Sequence, residues 1–326
     1  MFREDHQDTA GNGPEGTGAT AGRARSAAQT RWRAAFCSLA LGATLLTLFS
    51  ATALGAAKTV TNGSAGPIYE KVHWGTKSMQ RADIYVSTAR NSPIVMLVHG
   101  GGWRKQQALG FLRREALELQ QEGFTVFDIN YQQDTAEMPA FPAEPNDIVA
   151  ATQWAISQAG EYNADPANVI LVGGSAGGNL AALAGEKLDT AAPGTVRAVV
   201  SLSGPMNFET LLPLIENGEL RSHSFITSIF QAVGANEEEG EVEIPTPALL
   251  REGSPALNIP SKTACPDWML LSSEVDLVPI SQAEEMYEDL LAAKCKASLT
   301  VIPGKAHAFG YWNSASSAII SFIKGE

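Results

Sequence analysis

The stretch Val169–Leu188 constrains the fold more than any other part of this chain. Val169-Ile170-Leu171-Val172 is a continuous apolar run, short enough for a buried strand. Gly177–Leu188 carries Leu180, Leu183, Ala184 and Leu188 at helical spacing. Only Gly173-Gly174-Ser175-Ala176-Gly177, a G-x-S-x-G turn, joins the two. A strand passing so abruptly into a helix strains the backbone of the central serine and demands small neighbours on both sides. The turn lifts the serine Oγ above the sheet, at the positive end of the helix.

The rest of the chain supplies a sheet for such a turn. Eight segments read as strands: Val72–Thr76, Arg81–Ser87, Pro93–His99, Thr125–Tyr131, Val169–Gly173, Ala198–Leu202, Trp268–Ser272 and Ser298–Ile302. Helical periodicity marks Ala108–Gln121, Asp147–Gln158, Gly177–Leu188, Ile280–Ala293 and Ser314–Lys324. This alternation predicts an α/β fold, with a mostly parallel eight-stranded sheet and helices on both faces. Residues 205–260 break the rhythm with no predicted strand. They hold apolar clusters at Leu211–Ile215 and Phe225–Phe230, then an acidic run from Glu237 to Glu243. We read them as a cap or lid over the carboxyl edge of the sheet, with the acidic run a solvated loop.

The first 57 residues do not read as globular. Residues 1–33 are rich in Gly, Ala, Thr and Ser without an apolar period, which predicts a disordered tail. After Arg31, Trp32 and Arg33 come 24 uncharged residues, 34–57, closing on Ala53, Gly55 and Ala57. That layout fits the core of a cleaved secretory signal, and the run is also long enough for a membrane anchor. Both send residues 58–326, the predicted catalytic domain, out of the cytoplasm to a secreted, periplasmic or cell-surface location. From Lys58 on, the chain has 18 basic and 31 acidic side chains, a net charge of −13. Such a surface excludes nucleic acid as a partner, because phosphate binding needs clustered Lys and Arg.

Further residues fit chemistry at the serine. His99-Gly100-Gly101-Gly102-Trp103 follows the third predicted strand. Glycines there free backbone N–H groups to meet a developing oxyanion, so Gly101, Gly102 and Ala176 are the candidate donors. His99 reads as a brace for this loop, with Trp103 beside it in a supporting role. Only two histidines follow Ser175. His223 lies in the insertion, and His307 lies in Pro303–Phe309, just past the last strand. His307 is therefore the candidate base. Asp276, past the preceding strand, is the candidate acid; Glu274 competes, and Asp267 lies at the opposite edge. The aromatics Trp103, Phe141, Phe309, Tyr311 and Trp312 suit a pocket or the core equally. No cysteine spacing matches a metal or haem motif, and no cofactor is expected. Cys265 and Cys295 each stand three residues before a predicted strand. If those strands are neighbours, the two cysteines meet at the amino edge as a disulfide.

Four motifs carry a resemblance over about Ile68–Ile323: HGGGW at 99–103, GGSAGG at 173–178, EVDLVP at 274–279 and PGKAHAF at 303–309. Together they resemble the α/β-hydrolase-fold carboxylesterases, in particular the hormone-sensitive-lipase-like and bacterial carbohydrate-ester or feruloyl-type esterases. The resemblance implies the α/β-hydrolase fold and hydrolysis of a small-molecule ester through an acyl-enzyme. It assigns Ser175 as nucleophile, Asp276 as acid, His307 as base, and Gly101, Gly102 and Ala176 as oxyanion donors. Two departures stand out. Gln132-Gln133 follow Tyr131 where the family often has Arg-Leu, and 205–260 matches only at Ser254-Pro255. An aryl-formamidase or exopeptidase would use the same triad, and a non-catalytic binding protein would use the same fold.

Overall fold

The computed structural model describes residues 58–61, 66–104, 109–133, 140–220, 222–232, 237–238, 241–242, 246–259 and 265–326. The expected tail and the export segment 34–57 lie outside these. Among the described residues, no helix is long and apolar enough to cross a membrane.

Nine strands form one sheet: β1 Lys58–Thr61, β2 Pro67–His73, β3 Arg81–Tyr85, β4 Ser92–Val98, β5 Thr125–Ile129, β6 Ala164–Gly174, β7 Ala198–Leu202, β8 Asp267–Ser273 and β9 Ala297–Ile302. Their order is β1-β2-β3-β5-β4-β6-β7-β8-β9. From β5 to β9 all neighbours run parallel, and β1, β2 and β3 add an antiparallel edge. All eight expected strands are present, and β1 is a short ninth. The first expected strand is displaced: it begins at Pro67 rather than Val72. A bulge between Tyr69 and Val72, with Lys71 at φ +58°, interrupts the two-residue alternation that the sequence reading depends on.

Alternate residues of the central strands feed two cores. Val95 and Leu97 of β4 face α1 (Arg113–Gln121) and α8 (Trp312–Lys324). Ile94, Met96 and Val98 face α2 (Ala143–Ser157), α3 (Ala176–Ala191) and, further on, α7 (Ile280–Ala292). Helices therefore cover both faces, as parallel strands require. The insertion contributes α4 (Phe208–Glu216), α5 (His223–Ala232) and α6 (Pro247–Gly253). It was expected to hold no strand, yet a two-residue hairpin pairs Glu237–Glu238 with Glu241–Val242 inside the acidic run. Buried amides tie the insertion down. Asn179 Nδ2 donates to Pro205 O at 2.9 Å and to Gly253 O at 2.8 Å. Gln282 Oε1 accepts from Met206 N at 3.0 Å and Asn207 N at 2.8 Å.

Cys265 and Cys295 form a disulfide with a Cα separation of 5.5 Å. The β8–β9 register, Trp268 opposite Ala297, brings the two strand entries together. The bridge closes a loop spanning 30 residues. Loop-closure entropy then gives about 3.6 kcal/mol of stabilisation. Cys265→Ser is expected to melt roughly 5–10 °C lower in a calorimetric scan; an unchanged Tm would show that the loop is already constrained without the bond.

A buried carboxyl pair makes stability depend on pH. Asp128 of β5 sits opposite Asp83 of β3 in the register. Asp128 is 3% exposed, and its Oδ2 has no hydrogen-bond partner. Burial above all, then the charges of Asp83 and Glu115, push its pKa to about 8 against the Gly110 N–H that favours the anion. Between about pH 4 and 8 the unfolded chain gives up this proton while the folded chain keeps it. Stability therefore falls as pH rises through that window and levels off above it. Asp128→Asn is expected to flatten the slope and to raise stability most at pH 8, by several kcal/mol. Urea unfolding at pH 5, 6.5 and 8 reads this directly, and an undiminished slope in the variant would place its source elsewhere.

Candidate active site

Ser175 stands between β6 and α3 with φ +56° and ψ −127°, a strained conformation for a residue with a side chain. The turn is held on both sides. Ser175 N–H donates to Leu202 O of β7 at 2.8 Å, and Ser175 O accepts Gly178 N–H at 2.8 Å. A Cβ on Gly177 would lie 2.3 Å from His99 O and 2.4 Å from Val98 O, so only glycine lets the end of β4 pack against the turn. That contact places the loop after β4 beside the serine. Ala176, buried at the first position of α3, has its N–H outside the helical ladder.

The loop after β4 turns through three successive positive φ angles, +122° at Gly101, +62° at Gly102 and +59° at Trp103. His99 Nδ1 lies 2.6 Å from Gly100 O. Its ring stacks on Tyr131 with centroids 4.5 Å apart, and Tyr131 O–H donates to His99 O at 2.9 Å. Burial lowers the His99 pKa to about 4, so the ring stays neutral and supports the loop. Trp103 is buried against Phe141 and Phe208, with ring centroids 6.0 and 5.6 Å away. It anchors the loop from below rather than lining the cleft. From above, α5 rests on the same loop: a Cβ on Gly102 would meet Ser228 Oγ at 2.6 Å.

Asp276 follows β8 and His307 follows β9. Parallel strands carry both loops to the carboxyl edge, where Ser175 also stands. His307 Nδ1 donates to Asp276 Oδ1 at 2.6 Å. The Asp276 side chain is fully shielded. Its Oδ2 accepts from Ser203 Oγ at 2.6 Å, Ser273 N at 3.1 Å and Ser273 Oγ at 3.3 Å. Burial alone would favour the neutral acid. The hydrogen bonds from His307, Ser203 and Ser273, with the charge of His307, outweigh it and hold the carboxyl below its usual range. Because Nδ1 is committed to Asp276, the neutral ring presents its lone pair at Nε2, which is buried and has no hydrogen-bond partner.

Ser175, His307 and Gly100–Gly102 line one cleft of about 350 Å³. Phe111, Leu277 and Phe309 give it an apolar side, and Ser224 and Ser228 of α5 give it hydroxyls. Among the undecided aromatics, only Phe309 reaches the cleft; Trp103, Phe141, Tyr311 and Trp312 are core. Glu274 turns outward and accepts Gly304 N–H at 2.9 Å. Asp267 lies 3.6 Å from Lys296 at the amino edge, and His223 is exposed at the start of α5. The sequence reading missed Ser203, Phe111, Leu277 and the α5 serines. Leu277 stands inside EVDLVP, where nothing marked it as a lining residue, and the others belong to no motif; only the register of β7 against β8 brings Ser203 to the acid.

A strained serine turn, a glycine loop and an Asp–His pair at the carboxyl edge of this sheet are the architecture of the α/β-hydrolases. The chain belongs to the BD-FAE family, whose profile matches residues 82–290. It is similar to esterase LipQ of Mycobacterium tuberculosis, with 26% identity over 72% of this chain and 55% of LipQ. It also resembles a probable isoprenylcysteine alpha-carbonyl methylesterase, ICME, of Oryza sativa subsp. japonica, with 26% identity over 74% of this chain and 58% of that protein. The chain thus spans little more than half the length of these curated relatives. Its fold superposes on a truncated carbohydrate esterase from gut microbiota with a TM-score of 0.64 and 19% identity, covering 82% of this chain and 99% of that one.

Proposed function

We propose that this protein is a serine carboxylic-ester hydrolase. The observation that carries the reading is the 2.6 Å Asp276–His307 pair, whose imidazole shares one cleft with Ser175 and the glycine loop. His307 Nε2 takes the Ser175 proton as Oγ attacks the ester carbonyl. The negative charge on the carbonyl oxygen meets the N–H groups of Gly101, Gly102 and Ala176 and the positive end of α3. His307 then gives its proton to the departing alcohol, leaving an acyl group on Ser175. Water, deprotonated by His307, releases the acid and restores the serine. Asp276 stays ionised and holds the ring in the required tautomer throughout.

The test is covalent labelling by an alkyl phosphonate, which needs an activated serine and no knowledge of the natural ester. Peptide mapping is expected to find one adduct per chain, at Ser175. Labelling elsewhere, or none, would reject the reading. The export segment extends this proposal to an enzyme working outside the cytoplasm. Its support is the basic flank and the uncharged run ending at Ala57. A mature N-terminus near Lys58 by mass spectrometry is the expected result, and an uncleaved protein recovered in the cytosol would count against it.

A further inference from the structure

Two adjacent residues at the end of β7 touch the loops of all three triad members. Leu202 O accepts Ser175 N–H at 2.8 Å. Ser203 Oγ donates to Asp276 Oδ2 at 2.6 Å and accepts the N–H of Ala308, next to His307, at 3.0 Å. Ser203 N–H donates to Leu271 O of β8 at 2.7 Å. A hydroxyl carries one proton. With that proton on the carboxylate, Ser203 Oγ is an acceptor for the Tyr311 hydroxyl, 2.9 Å away. The Tyr311 hydroxyl also lies 3.1 Å from Leu271 O, so its single proton is shared between that carbonyl and Ser203 Oγ.

The backbone says that this side chain is not incidental. Ser203 is 2% exposed and sits at φ +55°, where glycine is unstrained and a residue with a Cβ is not. A purely structural turn there would suit glycine. We infer that Ser203 is a positioning residue for the hydrolytic reaction: its hydroxyl, backed by Tyr311, fixes the far oxygen of Asp276 and, through Ala308 N–H, the loop that carries His307. The inference rests on the triad reading given under Proposed function.

The hydroxyl does two separable things. It orients the carboxylate, and it draws negative charge toward Oδ2, away from His307. Without it, Oδ2 keeps only the longer bonds from Ser273, and charge moves to Oδ1, which faces the imidazole. The imidazolium is then better stabilised, so the acidic limb of kcat/KM moves to higher pH, by about half a unit to one unit. A less firmly held ring lowers kcat by about tenfold. KM stays near its original value, because Ser203 does not line the cleft.

The experiment compares Ser203→Ala, Ser203→Gly and Tyr311→Phe with the wild-type enzyme, measuring kcat and KM on one ester from pH 5 to 9. Both Ser203 variants are expected to lose about tenfold in kcat and to show the same upward shift, although alanine keeps the backbone strain and glycine relieves it. Tyr311→Phe is expected to shift the limb in the same direction by less, and it serves as the test if a Ser203 variant fails to fold. Wild-type kcat and an unmoved profile in Ser203→Gly would mean that only the backbone matters and would overturn the inference. So would lower kcat with no shift in any variant. Failure of the triad reading looks different: the wild-type enzyme itself takes up no phosphonate at Ser175, and the positioning role falls with it.

Discussion

Ser175→Ala is expected to lower ester hydrolysis by at least about three orders of magnitude while leaving the fold intact. The size follows from what is removed. In the proposed mechanism the hydroxyl is the group that attacks, and without it only water held near the Gly101–Gly102 loop would remain. Cleft, oxyanion donors and imidazole would all persist, so a small residual rate is expected. Stability is expected to change by well under 1 kcal/mol, since alanine bears the same positive-φ strain as serine and no side-chain hydrogen bond caps α3 from Ser175. Initial rates on a short-chain chromogenic ester, beside a melting curve, check both statements. A variant that melts normally and keeps more than about a tenth of the activity would show that another residue attacks.

Much of this site was legible because its chemistry leaves short-range traces. Strain at residue 175 must be relieved by small neighbours, so the turn appears as glycines around a serine. A loop with three positive φ angles appears as His99-Gly100-Gly101-Gly102-Trp103. Asp276 and His307 could be placed because a parallel sheet sends every strand end to the same edge, so knowing the strands meant knowing the edge. Cys265 and Cys295 followed from the same logic at the opposite edge. What was hidden depends on register or on tertiary contact. Ser203 reaches Asp276 only because β7 pairs with β8, with Leu202 opposite Leu271. The bulge at Tyr69–Val72 has no local signature, so β2 was placed five residues late. Trp103 and Phe309 are both aromatic residues that close a motif, yet one is buried under the glycine loop and the other faces the cleft. Nothing in composition separates them. The packing of α5 onto Gly102 belongs to the insertion, where the motifs stop.

Asp276→Asn is expected to lower kcat by about three to four orders of magnitude at neutral pH, with KM little changed. The carboxylate accepts on both oxygens: Oδ1 from His307 Nδ1 at 2.6 Å and Val278 N at 3.3 Å, Oδ2 from Ser203 Oγ and Ser273 N. An amide of the same shape must turn its NH2 toward one of these sets. Facing Ser273 N–H at 3.1 Å, it opposes a donor that cannot move. Facing His307, it opposes only the longer Val278 contact, and the imidazole adapts by shifting its proton to Nε2. The second arrangement is therefore favoured, and it leaves Nε2 protonated and unable to accept from Ser175. The variant also lacks the charge that stabilises the imidazolium. A second readout separates this from simple damage. The folded-state pKa of Asp276 is depressed, so its contribution to stability is present above the unfolded value near 4 and is lost as pH falls through the folded value. The asparagine variant is expected to lose less stability than wild type on acidification below pH 4. Activity within tenfold of wild type would move the acid elsewhere in the Leu271–Pro279 loop, with Glu274 the first candidate. An unchanged acid slope would show that the Asp276–His307 bond is as strong in the neutral acid as in the ion.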